Sequence, residues 1–361
     1  MDERETPEGS RRKSEYETWA EGEGVPFYRG SYVTDLYNCD IADWPRTGQK
    51  GAIVSLAEQE EDDGHVLEIA PGGKTEVLHH LCESTTFVLE GRGATSIWQK
   101  GLPKQTVEWQ RGSLFSAPVN SYYQHFNLDG QKRARFYSVT NTPMLMRIFR
   151  NPSFIFGDEY VFDDRYAAQD TYFTDPGERL GTRRWRTNFV PDLRQFKLDD
   201  YRERGAGGTN MHFQLANNQM ECHVSQFPSG TYKMAHRHGV GAHLLILDGI
   251  GYSLLRFAGQ DWLKVDWKDG SVLSPRAMEY HQHFNTGPTP ASYLALRLGG
   301  LSHSGVVRRE GELATTAISE REGGLQVDYQ DEDPEVYNLF ESECAKHGAE
   351  VNLPRPQYAK R

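Results

Sequence analysis

The sequence is poor in cysteine, in long apolar runs and in positive charge, and each shortage removes a class of protein. Four cysteines occur in 361 residues, Cys39, Cys82, Cys222 and Cys344. They lie far apart with no Cys-x-x-Cys pair, so neither a disulfide framework nor a zinc knuckle is indicated, and they read as reduced, mostly buried thiols. Apolar runs such as Leu244 to Leu247 fall far short of the ~20 residues that a membrane-spanning helix needs. Lys and Arg total 40 against 51 Asp and Glu, a net charge of −11, which argues against a phosphate-binding nucleic-acid scaffold. The basic residues near the start are followed by no apolar stretch, so no secretory signal is expected and the chain is read as cytoplasmic.

Glycine, tyrosine and phenylalanine are abundant, at 35, 18 and 17 residues. That balance favours strands joined by tight turns over a helical bundle. The length suggests about two domains.

A self-comparison shows why. At an offset of 158 positions, VEWQRGSLFSAPVNSYYQHFN from Val107 falls on VDWKDGSVLSPRAMEYHQHFN from Val265, with ten of 21 positions identical. Trp109 pairs with Trp267, His125 with His283 and Asn127 with Asn285, and the same offset carries Gly91 onto Gly249. The chain is a duplicated domain. Each copy reads as short strands punctuated by glycine, proline and charged turns, which predicts an all-β antiparallel sandwich or barrel.

The expected organisation follows: a mobile tail over 1–24, a first barrel over 25–150, a connector over 151–210, a second barrel over 211–305 and a C-terminal extension over 306–361. The tail is polar and charged. The connector carries aromatic residues and the basic cluster Arg179, Arg183, Arg184 and Arg186, and it is expected to pack across both barrels or a subunit interface, its arginines on carboxylates. Asp333, Pro334, the apolar residues Val336, Leu339, Phe340 and Cys344, then Gly348, predict a capped amphipathic helix. An aromatic connector and an added helix also point to a homodimer or higher cyclic oligomer.

Eight of the 13 histidines lie between His212 and His303. In a strand, His236 and His238 project to one face about 7 Å apart, close enough to converge on one ion. His243 and His281 complete the candidate set. His283 shares strand parity with His281, which suits a neighbouring acid or base. QHFN is present in both copies, so His125 and His283 also fit a shared framework role. His212, His223 and His303 have no companion at ligand spacing and are expected to be exposed or hydrogen-bonded.

The phrase from Gly230 through His236, His238 and His243 to Gly249, followed by His281 and Asn285, resembles the two motifs of the cupin superfamily. His243 stands where that motif usually has glutamate. The resemblance implies two tandem cupin barrels of the double-stranded β-helix (jelly-roll) type, a bicupin, over roughly residues 50–305. HRHGVGAHLLILDG is also similar to the motif of gentisate-type ring-cleaving dioxygenases, in which three histidines hold Fe(II).

With the offset held from Gly91, the first copy places Leu78 at His236, His80 at His238, Thr85 at His243 and Tyr123 at His281. With the offset held from Gly73, His79 falls at His236 instead. Under either alignment the first copy lacks the same ligand set, and one metal per chain is expected.

Imidazole ligands suit Fe, Cu, Ni and Zn, with Mn also an option; the resemblance favours Fe(II). Three ligands leave an octahedral ion room for a chelating acid and O2, whereas four leave less. A substrate carboxylate would want an arginine, and Arg237, Arg256, Arg276 and Arg297 are candidates. The expected function is therefore an iron-dependent dioxygenase acting on a small aromatic or hydroxylated acid. The alternative is a non-catalytic bicupin that binds a small molecule or activates an enzyme through a metal-organised pocket.

Overall fold

The computed structural model describes residues 13–58, 60–239, 241–299 and 315–358. The architecture is predominantly β, in two barrels whose elements repeat at the spacing found in the sequence. Arg92–Trp98, Gln105–Gln110, Leu114–Phe115 and Tyr122–Asn127 of the first recur as Ile250–Arg256, Leu263–Lys268, Val272–Leu273 and Tyr280–Asn285 of the second. Gly91 and Gly249 turn the corresponding hairpins with φ near 94° and 93°, a conformation that disfavours a side chain. An added Cβ would also lie 2.7 Å from Ala134 or Ala291.

Each barrel sets a large, mainly antiparallel sheet against a smaller one. In the first, Gln49–Leu56, Asp63–Ile69, Ala134–Thr140 and Ser84–Glu90 are consecutive neighbours, facing the sheet Tyr122–Asn127, Arg92–Trp98, Gln105–Gln110. In the second, Gly208–Leu215, Met220–Phe227, Ala291–Leu298 and His243–Asp248 face the sheet built on Ile250–Arg256 and Tyr280–Asn285. The two large sheets share one apolar core that includes Val54, Phe87 and Val139 from the first and Phe213, Leu245 and Leu294 from the second. Strands between two packed layers bury both faces, so Ser84–Glu90 and His243–Asp248 are buried almost throughout instead of alternating.

Strand exchange locks the pair. Tyr32–Val33 pairs with Val272–Leu273 of the second barrel, while Phe189–Val190 pairs with Leu114–Phe115 of the first. The latter strand belongs to the segment expected to connect the copies. That segment also sends Tyr166 and Tyr172 into the first barrel beside Ile97 and Tyr123 and pairs Arg184–Thr187 with Gly208–Leu215 of the second. Three of its four clustered arginines meet carboxylates: Arg179 on Asp199, Arg183 on Glu203 and Arg186 on Glu178.

One expectation fails at the start of the chain. Residues 13–24, read as part of a mobile tail, include the helix Glu15–Gly22, opened by a reciprocal cap between Ser14 and Glu17. Tyr16, Trp19 and Ala20 form its buried face, and the Tyr16 hydroxyl donates to Asp63 Oδ2 at 2.8 Å. Averaged over the charged segment, this i, i+3, i+4 stripe disappears. The rest of the expected tail lies outside the described residues.

The helix Pro334–His347 forms as its caps predict, with the Asp333 side chain accepting from the Glu335 N–H and Gly348 in the left-handed region. Val336, Tyr337, Phe340 and Cys344 pack against Tyr232, Tyr252 and Phe284. Among the described residues no helix is long and apolar enough to cross a membrane.

Candidate metal centre and cavity

Within the second barrel, Ala235–His236 pairs with Tyr280–Asn285 so that His236 lies opposite His281. His238 follows two residues on, and the Met278 N–H donates to its carbonyl at 2.7 Å. One nitrogen from each of His236, His238 and His281 lies within 4.8 Å of the others. The imidazole centroids are 4.1 Å apart for His236 and His281 and 4.7 Å for His238 and His281.

Backbone carbonyls orient two of these rings. Nδ1 of His281 lies 3.0 Å from the Glu279 carbonyl, and Nδ1 of His236 lies 3.4 Å from that of Met234. A protonated Nδ1 donating to a carbonyl leaves the Nε2 lone pair free, the arrangement a metal-binding imidazole requires. Burial, then the charge of Arg204, makes His236 much harder to protonate than usual, and burial pushes His281 down to about 4. Both are neutral bases at neutral pH. The residues present fit a divalent transition metal.

The triad opens into a cavity of about 430 Å³. Ala242 and Leu244 from the strand after the loop, His283 and Tyr293, and the cations Lys233 and Arg204 line it. No family model matches the chain and no curated protein matches it. Solved structures do. The chain is similar to the formate complex of Lactobacillus farciminis oxalate decarboxylase, with a TM-score of 0.52, 11% identity, and 75% of this chain and 86% of that one covered. It is also similar to a tryptophan-to-tyrosine variant of Bacillus subtilis oxalate decarboxylase, with a TM-score of 0.51, 14% identity, and 74% and 77% covered. A further structure of the B. subtilis enzyme, determined in work on its Mn(II) centres, matches with a TM-score of 0.50 and 13% identity over the same shares.

The fold is that of a bicupin. Within it, the first barrel keeps the framework and loses the ligands. Leu78 bridges to Tyr123 where His236 pairs with His281, which settles the alignment in favour of the offset from Gly91. Both nitrogens of His80 are engaged, Nδ1 with the Cys82 carbonyl at 2.9 Å and Nε2 with the Tyr123 hydroxyl at 2.7 Å. His79 stacks on Tyr122 at 4.1 Å.

The bicupin repeat also explains QHFN. His283 Nδ1 lies 2.8 Å from Ser253 Oγ, which accepts from the Trp267 indole N–H at 3.0 Å. His125, Thr95 and Trp109 repeat the relay at 2.7 and 2.9 Å. The histidine is therefore framework in both barrels, and in the second it also lines the cavity, 5.8 Å from His281 between ring centroids.

His243 departs from expectation. It is absent from the histidine cluster, and its Nδ1 meets the Tyr137 hydroxyl of the first barrel at 2.5 Å. Its Nε2 lies 3.4 Å from Asp62 Oδ1. Ala242, just before His243–Asp248, and Leu244 turn to the cavity while Leu245 and Leu247 join the inter-barrel core, so alternation places His243 on the core side. The intervening loop resets the parity that counting from His238 assumes. The side chains of this segment that line the cavity, Ala242 and Leu244, carry no donor atom.

The expected arginines are committed elsewhere. Arg237 pairs with Glu320 and lies over Tyr280, Arg256 lies over Trp262, and Arg276 pairs with Glu58. Arg297 reaches the cavity but is paired with Glu221. His212 and His223, expected to be ordinary histidines, line the cavity with their rings 4.8 Å apart. His303 lies outside the described residues.

Lys233 and Arg204 were not anticipated. The Lys233 N–H donates to the His283 carbonyl, whereas His236 is opposite His281. Three residues thus span what two do on the partner strand. This one-residue bulge brings Lys233 onto the same face as His236, against simple alternation. Arg204 comes from a loop joined to this segment by the Met234 N–H, which donates to the Arg204 carbonyl at 3.0 Å, and carries no local motif.

Proposed function

We propose that this bicupin is a divalent-metal-dependent enzyme acting on a small hydroxylated or aromatic acid, with His236, His238 and His281 as the metal ligands. The observation that carries this reading is the convergence of three imidazoles, buried at His236 and His281 and part-buried at His238, their nitrogens within 4.8 Å of one another, on a cavity of about 430 Å³. A bound Fe(II) or Mn(II) would polarise the acid and, being redox-active, would couple it to O2. Three neutral ligands leave the ion its full charge, and Ala242 supplies no fourth donor. His283 is proposed to hold or move a proton at Nε2, its Nδ1 being anchored on Ser253.

Iron-dependent oxygenation is the reaction we put forward, because three protein ligands leave room for both a chelating acid and O2. Redox-neutral decarboxylation is the second reading, favoured by the oxalate decarboxylase structures. Oxygen uptake and carbon dioxide release, measured together over a panel of phenolic and hydroxy acids, separate them. Uptake of O2 supports the first and release of CO2 without O2 uptake the second. A metal-loaded protein inert throughout would leave the non-catalytic small-molecule-binding alternative.

Association into a homodimer or larger ring is part of the proposal. Ile148, Phe149 and Phe154 are exposed together, with the two phenylalanine rings 5.0 Å apart. A monomeric mass in light scattering would reject it.

A further inference from the structure

Two buried cations on the cavity wall have no role in the reading above. Lys233 is 2% exposed, and its Nζ donates to the Ser225 hydroxyl at 2.7 Å and the Tyr293 hydroxyl at 3.0 Å. Arg204 is 7% exposed and donates to Gln326 Oε1 at 2.8 Å and to the Thr316 carbonyl. Among the described residues neither forms an ion pair. The other arginines of the cavity do: Arg183 is paired with Glu203 at 3.0 Å and Arg297 with Glu221.

A buried charge served only by neutral dipoles is costly, and folds ordinarily pair it. A divalent ion on the adjacent histidines would add to the same sign. Lys233 lines the cavity, and its ammonium group has a third N–H beyond its two hydroxyl partners. Arg204 lines the same cavity as His236, His281 and His283. Among the described residues the cavity wall carries Arg183, Arg204, Lys233 and Arg297 against the single carboxylate of Glu203, which is paired with Arg183, and a ligand anion is the natural complement to this excess of positive charge.

We propose that Lys233 and Arg204 form the carboxylate subsite of this cavity. The ligand is then a small organic acid with one carboxylate for this pair and a second oxygen donor for the histidine end. This rests on the cavity being the substrate site, but the subsite does not need the metal in order to bind.

Calorimetry and thermal shift on the full-length protein, as purified and after chelator treatment, test it with succinate and 4-hydroxybenzoate against the neutral succinamide and 4-hydroxybenzamide. At least one acid should bind and raise Tm in both preparations, and the amides should not; which acid does so separates a dicarboxylate from an aromatic ligand. Lys233→Met should weaken acid binding by about tenfold or more with metal content unchanged, and Lys233→Arg should retain most of it. Arg204→Met should behave like Lys233→Met where it folds; otherwise Lys233→Met and the acid-against-amide comparison decide. Equal binding of acid and amide, no acid binding, or full affinity in Lys233→Met would overturn the subsite. Acid binding by a protein that takes up no metal would instead overturn the metal reading and leave the subsite standing.

Discussion

The hydroxyl of Tyr137 meets Nδ1 of His243 at 2.5 Å across the junction of the two barrels. Asp62 completes the contact: Oδ1 lies 3.4 Å from His243 Nε2, while Oδ2 accepts from the Leu298 N–H at 3.0 Å. Strands of both barrels are thus joined by polar groups within an apolar interface. The residue occupying the resembled motif's carboxylate position acts as an inter-barrel fastener.

His243→Ala should therefore cost stability and spare the metal. It leaves the buried Tyr137 hydroxyl without its partner, a loss of about 1–3 kcal/mol. Urea unfolding and metal analysis check both halves. Loss of metal at unchanged stability would show that His243 is a ligand.

The first barrel should remain metal-free even when its most obvious difference is reversed. Tyr123→His restores one imidazole, but Leu78 still faces it and Tyr166 and Tyr172 still pack in the same cluster. Titration should give one ion per chain in both proteins. A second tightly bound ion in the variant would contradict this.

Acid should destabilise the protein through two histidines remote from the proposed metal. Burial holds His80 down to about 4 and His125 to about 3, against an ordinary 6.5. Below pH 6.5 the unfolded chain takes protons at these sites that the folded chain refuses, so their contribution is constant above pH 6.5 and falls below it, toward pH 4 for His80 and pH 3 for His125. The urea midpoint should drop over that window, and His80→Gln should flatten the slope. An unchanged slope in that variant, or a midpoint rising with acid, would refute the assignment.

If His283 handles a proton, His283→Gln should keep the metal and lower turnover by about 10²- to 10⁴-fold. Wild-type turnover with a wild-type pH profile would reduce the residue to framework, as its counterpart His125 is in the first barrel.

What was legible in the sequence depended on how locally each feature is encoded. The duplicated barrels followed from one offset, and the C-terminal helix from Asp333, Pro334 and Gly348. His236, His238 and His281 were identifiable because two share a strand face and the third stands immediately before the repeated QHFN phrase. Counting failed where the backbone changes phase. The loop before His243 reversed its face, and the bulge after Lys233 hid a cavity residue. Arg204, His212 and His223 converge from a distant loop and the opposite sheet, so tertiary packing alone brings them together. The N-terminal helix was obscured because one buried stripe was averaged with charged neighbours.

The central claim is that three histidines of the second barrel, without His243, hold one metal ion. Elemental analysis of the purified wild type beside His281→Ala and His243→Ala, with circular dichroism to confirm folding, tests it most directly. The account predicts about one ion per chain in wild type and His243→Ala, and almost none in a folded His281→Ala. Equal metal content in wild type and His281→Ala, or its loss in His243→Ala alone, would contradict it.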